Sequence, residues 1–274
     1  MPRLNASNFF LARLKPSGKA KLDHFNERLM KSDSCTILDE MRSKLEEYDF
    51  LSREMKRYDA KSRPVSPTFK GVESAFACAH CGKCCEKFVI GITIIEVKHL
   101  LTHQHLDILA MIRLADDKPY FRFLSKREYS NSLPLLSPGL KSRLGALNPS
   151  LGERGERMGR GCVFHDAMHH HCTIYQQRPL ECKIYPIGNA LLHHGIILCP
   201  PAVKKRLDLS NEDNSDGVCT IDISRNLGIL TSLNCKADAD SIYFNLIQSS
   251  RGDQARLILC KIALLLHHFR LSRG

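Results

Sequence analysis

Cys78-Ala79-His80-Cys81-Gly82-Lys83-Cys84-Cys85 puts four thiols into eight residues. A two-residue gap lets one tight turn aim two sulfurs at a common centre, and Gly82 gives the backbone freedom to wrap it. Lys83, Lys87 and the amide N–H groups of such a turn favour thiolate over thiol. Adjacent cysteines cannot easily face the same ion, so one of Cys84 and Cys85 is expected to serve a neighbouring centre. So dense a set of thiols predicts metal or cluster binding.

Further along, Cys162, Cys172 and Cys182 are each separated by nine residues. They sit in compact phrases: Gly161-Cys162-Val163-Phe164, Cys172-Thr173-Ile174-Tyr175 and Arg178-Pro179-Leu180-Glu181-Cys182. Cys199-Pro200 supplies an eighth candidate thiol. Eight cysteines could fill two tetrahedral zinc sites. The spacing Cys78-x2-Cys81-x2-Cys84 also equals the first three ligands of a bacterial ferredoxin run, without that run's fourth cysteine followed by proline. An iron–sulfur cluster is the favoured cofactor and zinc the alternative.

The phrases C-x2-C-G-x-C-C, C-x-F, C-x-I-Y-x-x-R-P-x-x-C and a later C-P together resemble a cysteine-cluster family of zinc- or iron-chelating proteins. That family includes flagellin lysine N-methylase. The resemblance spans Cys78 to Cys199, less than half the chain. It implies metal ligation by Cys78, Cys81, Cys84, Cys85, Cys162, Cys172 and Cys182, with Tyr175, Arg178 and Pro179 as the accompanying motif. It implies chelation strongly and a particular reaction only weakly. Arg178 has two readings: its guanidinium holds a carboxylate or a cluster-bound substrate, or it pairs with Glu181 or a helix end.

His165, His169, His170 and His171 form a tract beside Cys172 that either ligates a metal or makes a solvated loop. His80 is a candidate donor behind the first thiol run. His99 and His103, four residues apart on an expected helix, either share a metal or line its polar face. Cys35, Cys219, Cys235 and Cys260 fall outside the pattern, and Cys260 is expected in a core.

Composition narrows the classes. Twelve cysteines in 274 residues fall below the roughly 8–10% of a secreted disulfide scaffold, which points to a reducing compartment. Residues 1–22 lack the apolar run of a secretory leader, so a cytoplasmic location is expected. Their Arg3, Arg13, Lys15, Lys19 and Lys21 without an acid keep organelle targeting as the alternative. A net charge of +11 draws the chain to polyanions, but 7% aromatics and no Trp argue against a base-stacking platform. Leu257 to Phe269 is too short and too interrupted to span a bilayer. A Walker loop, H-E-x-x-H and G-x-S-x-G are all absent, and no catalytic residue is assigned.

The expected fold is α+β and predominantly helical: a small irregular cysteine-rich centre with a few short strands, flanked by helices. The expected divisions are a helical extension (1–70), the cysteine-cluster domain (71–205) and a helical tail (206–274). Leu38, Met41, Leu45, Tyr48, Leu51, Met55 and Tyr58 step along one face of a helix over 36–58, with Thr36 and Asp39 as its capping box. A strand is expected at Phe88–Ile92, a helix opening at Thr93 with Glu96 as capping partner, and another over Leu106–Ala115. Prolines and glycines over 129–161 predict a long basic loop insertion. A hairpin is expected at Leu191–Leu198, a surface loop at 207–217, and helices at Asp240–Gln248 and Asp253–Phe269.

Three functions fit these residues. The first is a metal- or cluster-binding protein with a redox or catalytic role. The second is a metal-dependent enzyme resembling a protein lysine N-methylase, although no glycine-rich loop for S-adenosylmethionine follows a strand. The third is an interaction module that zinc only staples and whose basic surface binds nucleic acid; across the three readings an unknown protein partner is left open and nucleic acid is the less expected ligand.

Overall fold

A computed structural model describes residues 13–58, 83–115, 120–152, 161–184, 246–248 and 251–272. Cys78, His80, Cys81, Cys199, Cys219 and Cys235 lie outside the described residues, as do the expected hairpin at 191–198 and loop at 207–217.

Three long helices form one layer: α1 (Pro16–Leu29), α2 (Ser34–Tyr58) and the C-terminal helix, here α9 (Gly252–Leu271). Met41, Leu45, Tyr48 and Leu51 of the stripe read from the sequence are buried in α2 at 2% exposure or less, joined by Ile37, while Leu38 is half-buried. The other side of that contact is Ile258, Leu259, Ile262, Leu265 and Leu266 of α9, apolar around most of its circumference and correspondingly buried. Helix α1 seats Leu22, Phe25 and Leu29 in the same core. Polar ties fix the ends: His268 to Asn26 at 2.8 Å and Ser34 Oγ to Ser272 Oγ at 2.8 Å. The start of α2 is held by Asp33, whose Oδ1 accepts from Thr36 N at 2.7 Å, whereas Asp39 pairs with Arg42. The expected Thr36–Asp39 box is corrected accordingly.

The second layer is a small antiparallel sheet in the order β1 (Gly91–Ile92), β3 (Phe121–Phe123), β2 (Ile112–Leu114). Its register pairs Ile92 with Phe121 and Ile112 with Phe123. Helix α4 (Ile94–Thr102) follows β1 and opens on the expected capping box, with Thr93 and Glu96 each bonding the other's backbone N–H. Buried Arg270 of α9 joins the layers by donating to the carbonyls of Ala110 at 3.2 Å and Ile112 at 2.8 Å. The fold is therefore predominantly helical α+β with a few short strands.

Two expectations need correction. The helix over Leu106–Ala115 stops after α5 (Leu106–Leu109), because β-branched Ile112 and its neighbours pair with β3. Residues 129–161 are not one loop. They hold the rest of α6 (Lys126–Ser132) and all of α7 (Pro138–Leu147). Pro138 sits at the helix start, where its missing N–H costs nothing, and Ser137 caps it; Leu140 and Leu144 face the core.

Helix α6 carries a concentrated electrostatic tie. Glu128 closes a capping box with Ser125 and also accepts from Arg113 at 2.6 Å and from Arg122 at 2.6 and 2.7 Å. Burial alone would raise its carboxyl, but the Arg122 hydrogen bond, the Ser125 N–H and both guanidinium charges hold it at about 2. Its folded pKa is thus depressed below the unfolded value of roughly 4.3. The stability it gives is complete above that value and is lost as pH falls toward 2. Glu128→Gln is expected to cost on the order of 2 kcal/mol near neutrality and to flatten the acid limb of a stability-versus-pH curve, read by urea denaturation.

Candidate metal centre

Five of the eight candidate thiols are described, and three separate segments carry them. Cys84 and Cys85 lie on the short helix α3 (Lys83–Lys87), their sulfurs 3.8 Å apart. Cys162 begins the second segment, and Cys172 ends β5 (His171–Cys172), which pairs with β4 (His165–Asp166) in a hairpin. Cys182 lies on α8 (Leu180–Ile184).

Backbone crossing brings the first two segments together. Cys162 N donates to Cys85 O at 2.7 Å, and Lys126 N donates to Gly161 O at 2.9 Å. Gly161 is required here: a Cβ at this position would lie 2.5 Å from Cys85 O and 2.7 Å from Glu86 O, far inside contact distance. Beyond the crossing, Val163 N reaches Leu124 O, and buried Asn148 donates to the carbonyls of Val163 and His165. The hairpin is thereby bolted to the end of the sheet. Two carboxylates hold α8: Glu96 accepts from Leu180 N and Glu181 from Gly91 N.

The thiols act on one another electrostatically. Cys84 is drawn down to about 7, first by the hydrogen bond from the Cys85 thiol. Cys85 is correspondingly pushed up, by that bond, by burial, and by charge on Cys84, Cys162 and Cys182. Burial lifts Cys162 to about 12, with charge on Cys172 and Cys84 adding to the rise. Cys182 is raised well above the ordinary thiol range by burial and by Cys162, Cys172 and Cys84. All five remain free thiols. Among the described residues no three of these sulfurs lie within 4.8 Å of one another, but thiols that feel one another's charge resist further ionisation until a cation offsets it. The donor set is soft sulfur, half-buried to buried, and it fits zinc or an iron–sulfur cluster in type.

Tyr175 and Arg178 lie beside Cys172 and Cys182. The Arg178 guanidinium stacks 3.7 Å over the Tyr175 ring, and its buried Nε and Nη1 have no hydrogen-bond partner among the described residues. The Glu181 carboxylate accepts from Gly91 N. Pro179 is buried and its carbonyl accepts from Lys183 N, which starts α8. Arg178 and Pro179 face a cleft of about 250 Å³ lined also by Glu96, His99 and His105.

The histidine tract divides. His169, His170 and His171 are exposed, whereas His165 is 2% exposed. His99 and His103 lie on the polar side of α4, with ring centroids 4.0 Å apart. Cys35 is exposed on α2 and Cys260 is buried in α9, as its apolar neighbours imply. Glu86, next to Cys85, escaped the sequence reading, because only the tertiary crossing brings it to the hairpin.

Residues 77–206 match a family described as "Putative zinc- or iron-chelating domain". No curated protein and no solved structure matches the chain. No helix among the described residues is long and apolar enough to cross a membrane.

Proposed function

We propose, from the match of residues 77–206 to a zinc- or iron-chelating family, that the chain holds an iron–sulfur cluster, with zinc as the competing occupant. The ligands are drawn from Cys78, Cys81, Cys84, Cys85, Cys162, Cys172, Cys182 and Cys199. What supports this reading is the family match together with the backbone crossing that sets Cys162 against Cys85, whose sulfur lies 3.8 Å from that of Cys84. A cluster so held supplies one-electron chemistry.

The chain's own residues set its surroundings. Lys126 lies near enough to favour the Cys162 thiolate. Burial restricts water around the Cys162 and Cys182 sulfurs, which lowers the local dielectric and strengthens every thiolate–metal attraction. Arg178 presents two unpartnered N–H groups at the cleft, a fork that suits a carboxylate, with Lys183 nearby. The cleft therefore suits a carboxylate-bearing ligand. Arg178→Lys keeps the charge and loses the fork. It is expected to weaken malonate binding by roughly tenfold or more, followed by shifts in the backbone amide signals of Lys183 and its neighbours.

Oxygen-free purification with analysis for iron, sulfide and zinc tests the proposal. Brown protein that dithionite bleaches, with iron and sulfide in comparable amounts, is the expected result. A colourless protein with stoichiometric zinc would move the reading to a zinc-stapled module.

A further inference from the structure

The crossing that joins Cys85 to Cys162 also carries Glu86 to the histidine hairpin. Glu86, His165 and His170 each offer one ligand atom, and these three atoms lie within 4.8 Å of one another. His170 Nδ1 is 4.0 Å from Glu86 Oε1. His165 is 2% exposed, and its Nε2 is a buried polar atom without a hydrogen-bond partner among the described residues. A ring nitrogen that has given up water and found no partner calls for one. His170 adds a second oddity: at φ 51° it holds a left-handed backbone conformation that non-glycine residues rarely adopt.

We propose that Glu86, His165 and His170 form a second metal site, separate from the thiols, for a divalent first-row transition ion such as Zn²⁺ or Fe²⁺. Two imidazoles and one carboxylate are a complete protein share for such an ion and leave positions open for water or substrate. Ligand atoms at about 2.1 Å from one ion lie roughly 3–3.4 Å apart, so the set must close by about an ångström. The side chains that must move are those free to do so: Glu86 is 33% exposed and His170 67%. His165 is the fixed member, its backbone carbonyl held by Asn148 and its strand by Cys172. Glu86 is fixed at its backbone, because Gly161 packs directly on the Glu86 carbonyl. Lys126 and His170 are the cationic groups whose fields are felt at His165, and the Glu86 and Asp166 carboxylates oppose them.

The neighbouring group Asp166, His169 and His171 is a weaker candidate although its atoms are as close. The buried Asp166 carboxylate already accepts from the N–H groups of Met168 and His169 and from the His169 ring at 2.7 Å. Those bonds account for its burial without a metal. Among the described residues, His165 has no such account.

The inference does not depend on the thiol cluster being loaded, and one titration separates the two. Untagged full-length protein is dialysed against a chelator to empty exchangeable sites and titrated with Co²⁺, following absorbance and bound cobalt. Thiols emptied by the chelator take cobalt with a sulfur-to-metal band, and about one further cobalt per chain is expected with weak ligand-field absorption only. Glu86→Gln and His170→Ala, both at accessible positions, are expected to weaken that weak-band uptake roughly a hundredfold, as is His165→Asn if circular dichroism shows it folded. His169→Ala with His171→Ala leaves it unchanged. The proposal is overturned if no cobalt binds outside sulfur, if the weak-band uptake survives both Glu86→Gln and His170→Ala, or if it is lost in the His169/His171 variant instead. Absence of resident iron or zinc from the thiols, with the weak-band cobalt intact, would defeat the cluster reading alone.

Discussion

Changing Cys84 to serine is expected to strip the protein of its metal, from stoichiometric content to less than about a tenth of it. Cys84 ionises more readily than Cys85, Cys162 and Cys182, since the Cys85 thiol donates to it and draws it down to about 7 while those three are pushed up. Of these four it is the one that offers a thiolate near neutral pH. Serine keeps the size and removes the soft donor; its hydroxyl does not ionise in this range. Metal binding also gathers three chain segments, so its free energy contributes to folding, and the melting temperature should fall with the metal. Cys35→Ser is the matched control: Cys35 is exposed on α2, and its loss should leave metal content unchanged. Elemental analysis of both variants, purified without oxygen, reads the difference directly.

Gly161→Ala should do nearly as much harm without touching a sulfur. The added methyl would stand 2.5 Å from Cys85 O, 2.7 Å from Glu86 O and 2.9 Å from Glu86 C. All three are backbone atoms, so no side chain can swing aside to make room. Relief requires α3 to part from Cys162, which breaks the 2.7 Å bond from Cys162 N to Cys85 O and leaves a buried donor unpaired. A loss of about 2–4 kcal/mol is expected, together with metal loss comparable to Cys84→Ser. Gly145→Ala in α7 serves as the comparison, because a Cβ there meets nothing within 4 Å. That variant should be neutral or slightly stabilised. Urea denaturation with metal analysis distinguishes a stable, metal-free Gly161 variant from one that has unfolded. Stability and metal content equal to the unchanged protein would contradict the crossing geometry.

What could be read from the sequence was what local spacing encodes. The stripe Met41, Leu45, Tyr48, Leu51 and the box Thr93–Glu96 need only their own neighbours, and both stand in the fold as expected. The thiol phrases were legible for the same reason; of the residues they named, Cys78, Cys81 and Cys199 lie outside the described residues. The helices over 126–147 were hidden by Pro134, Pro138, Gly139 and Gly145. Proline at a helix start is compatible with the helix it seems to break, and Ser125 with Glu128 was a capping box in plain view. Strand β2 was hidden because Ile112, Arg113 and Leu114 fit a helical spacing equally well, and only pairing with Phe121–Phe123 decides between the two. Glu86 beside His165 and His170 had no local signal at all. Their meeting depends on a glycine 75 positions beyond Glu86, where the absence of a side chain lets two backbones touch.

X-ray absorption at the metal edge of oxygen-free, full-length protein puts the sulfur-held centre to its most direct test. The account predicts a dominant shell of sulfur neighbours at roughly 2.3 Å around the bound iron or zinc, abolished in Cys84→Ser. A metal surrounded only by nitrogen and oxygen in the unchanged protein, or no iron or zinc to measure, would contradict it.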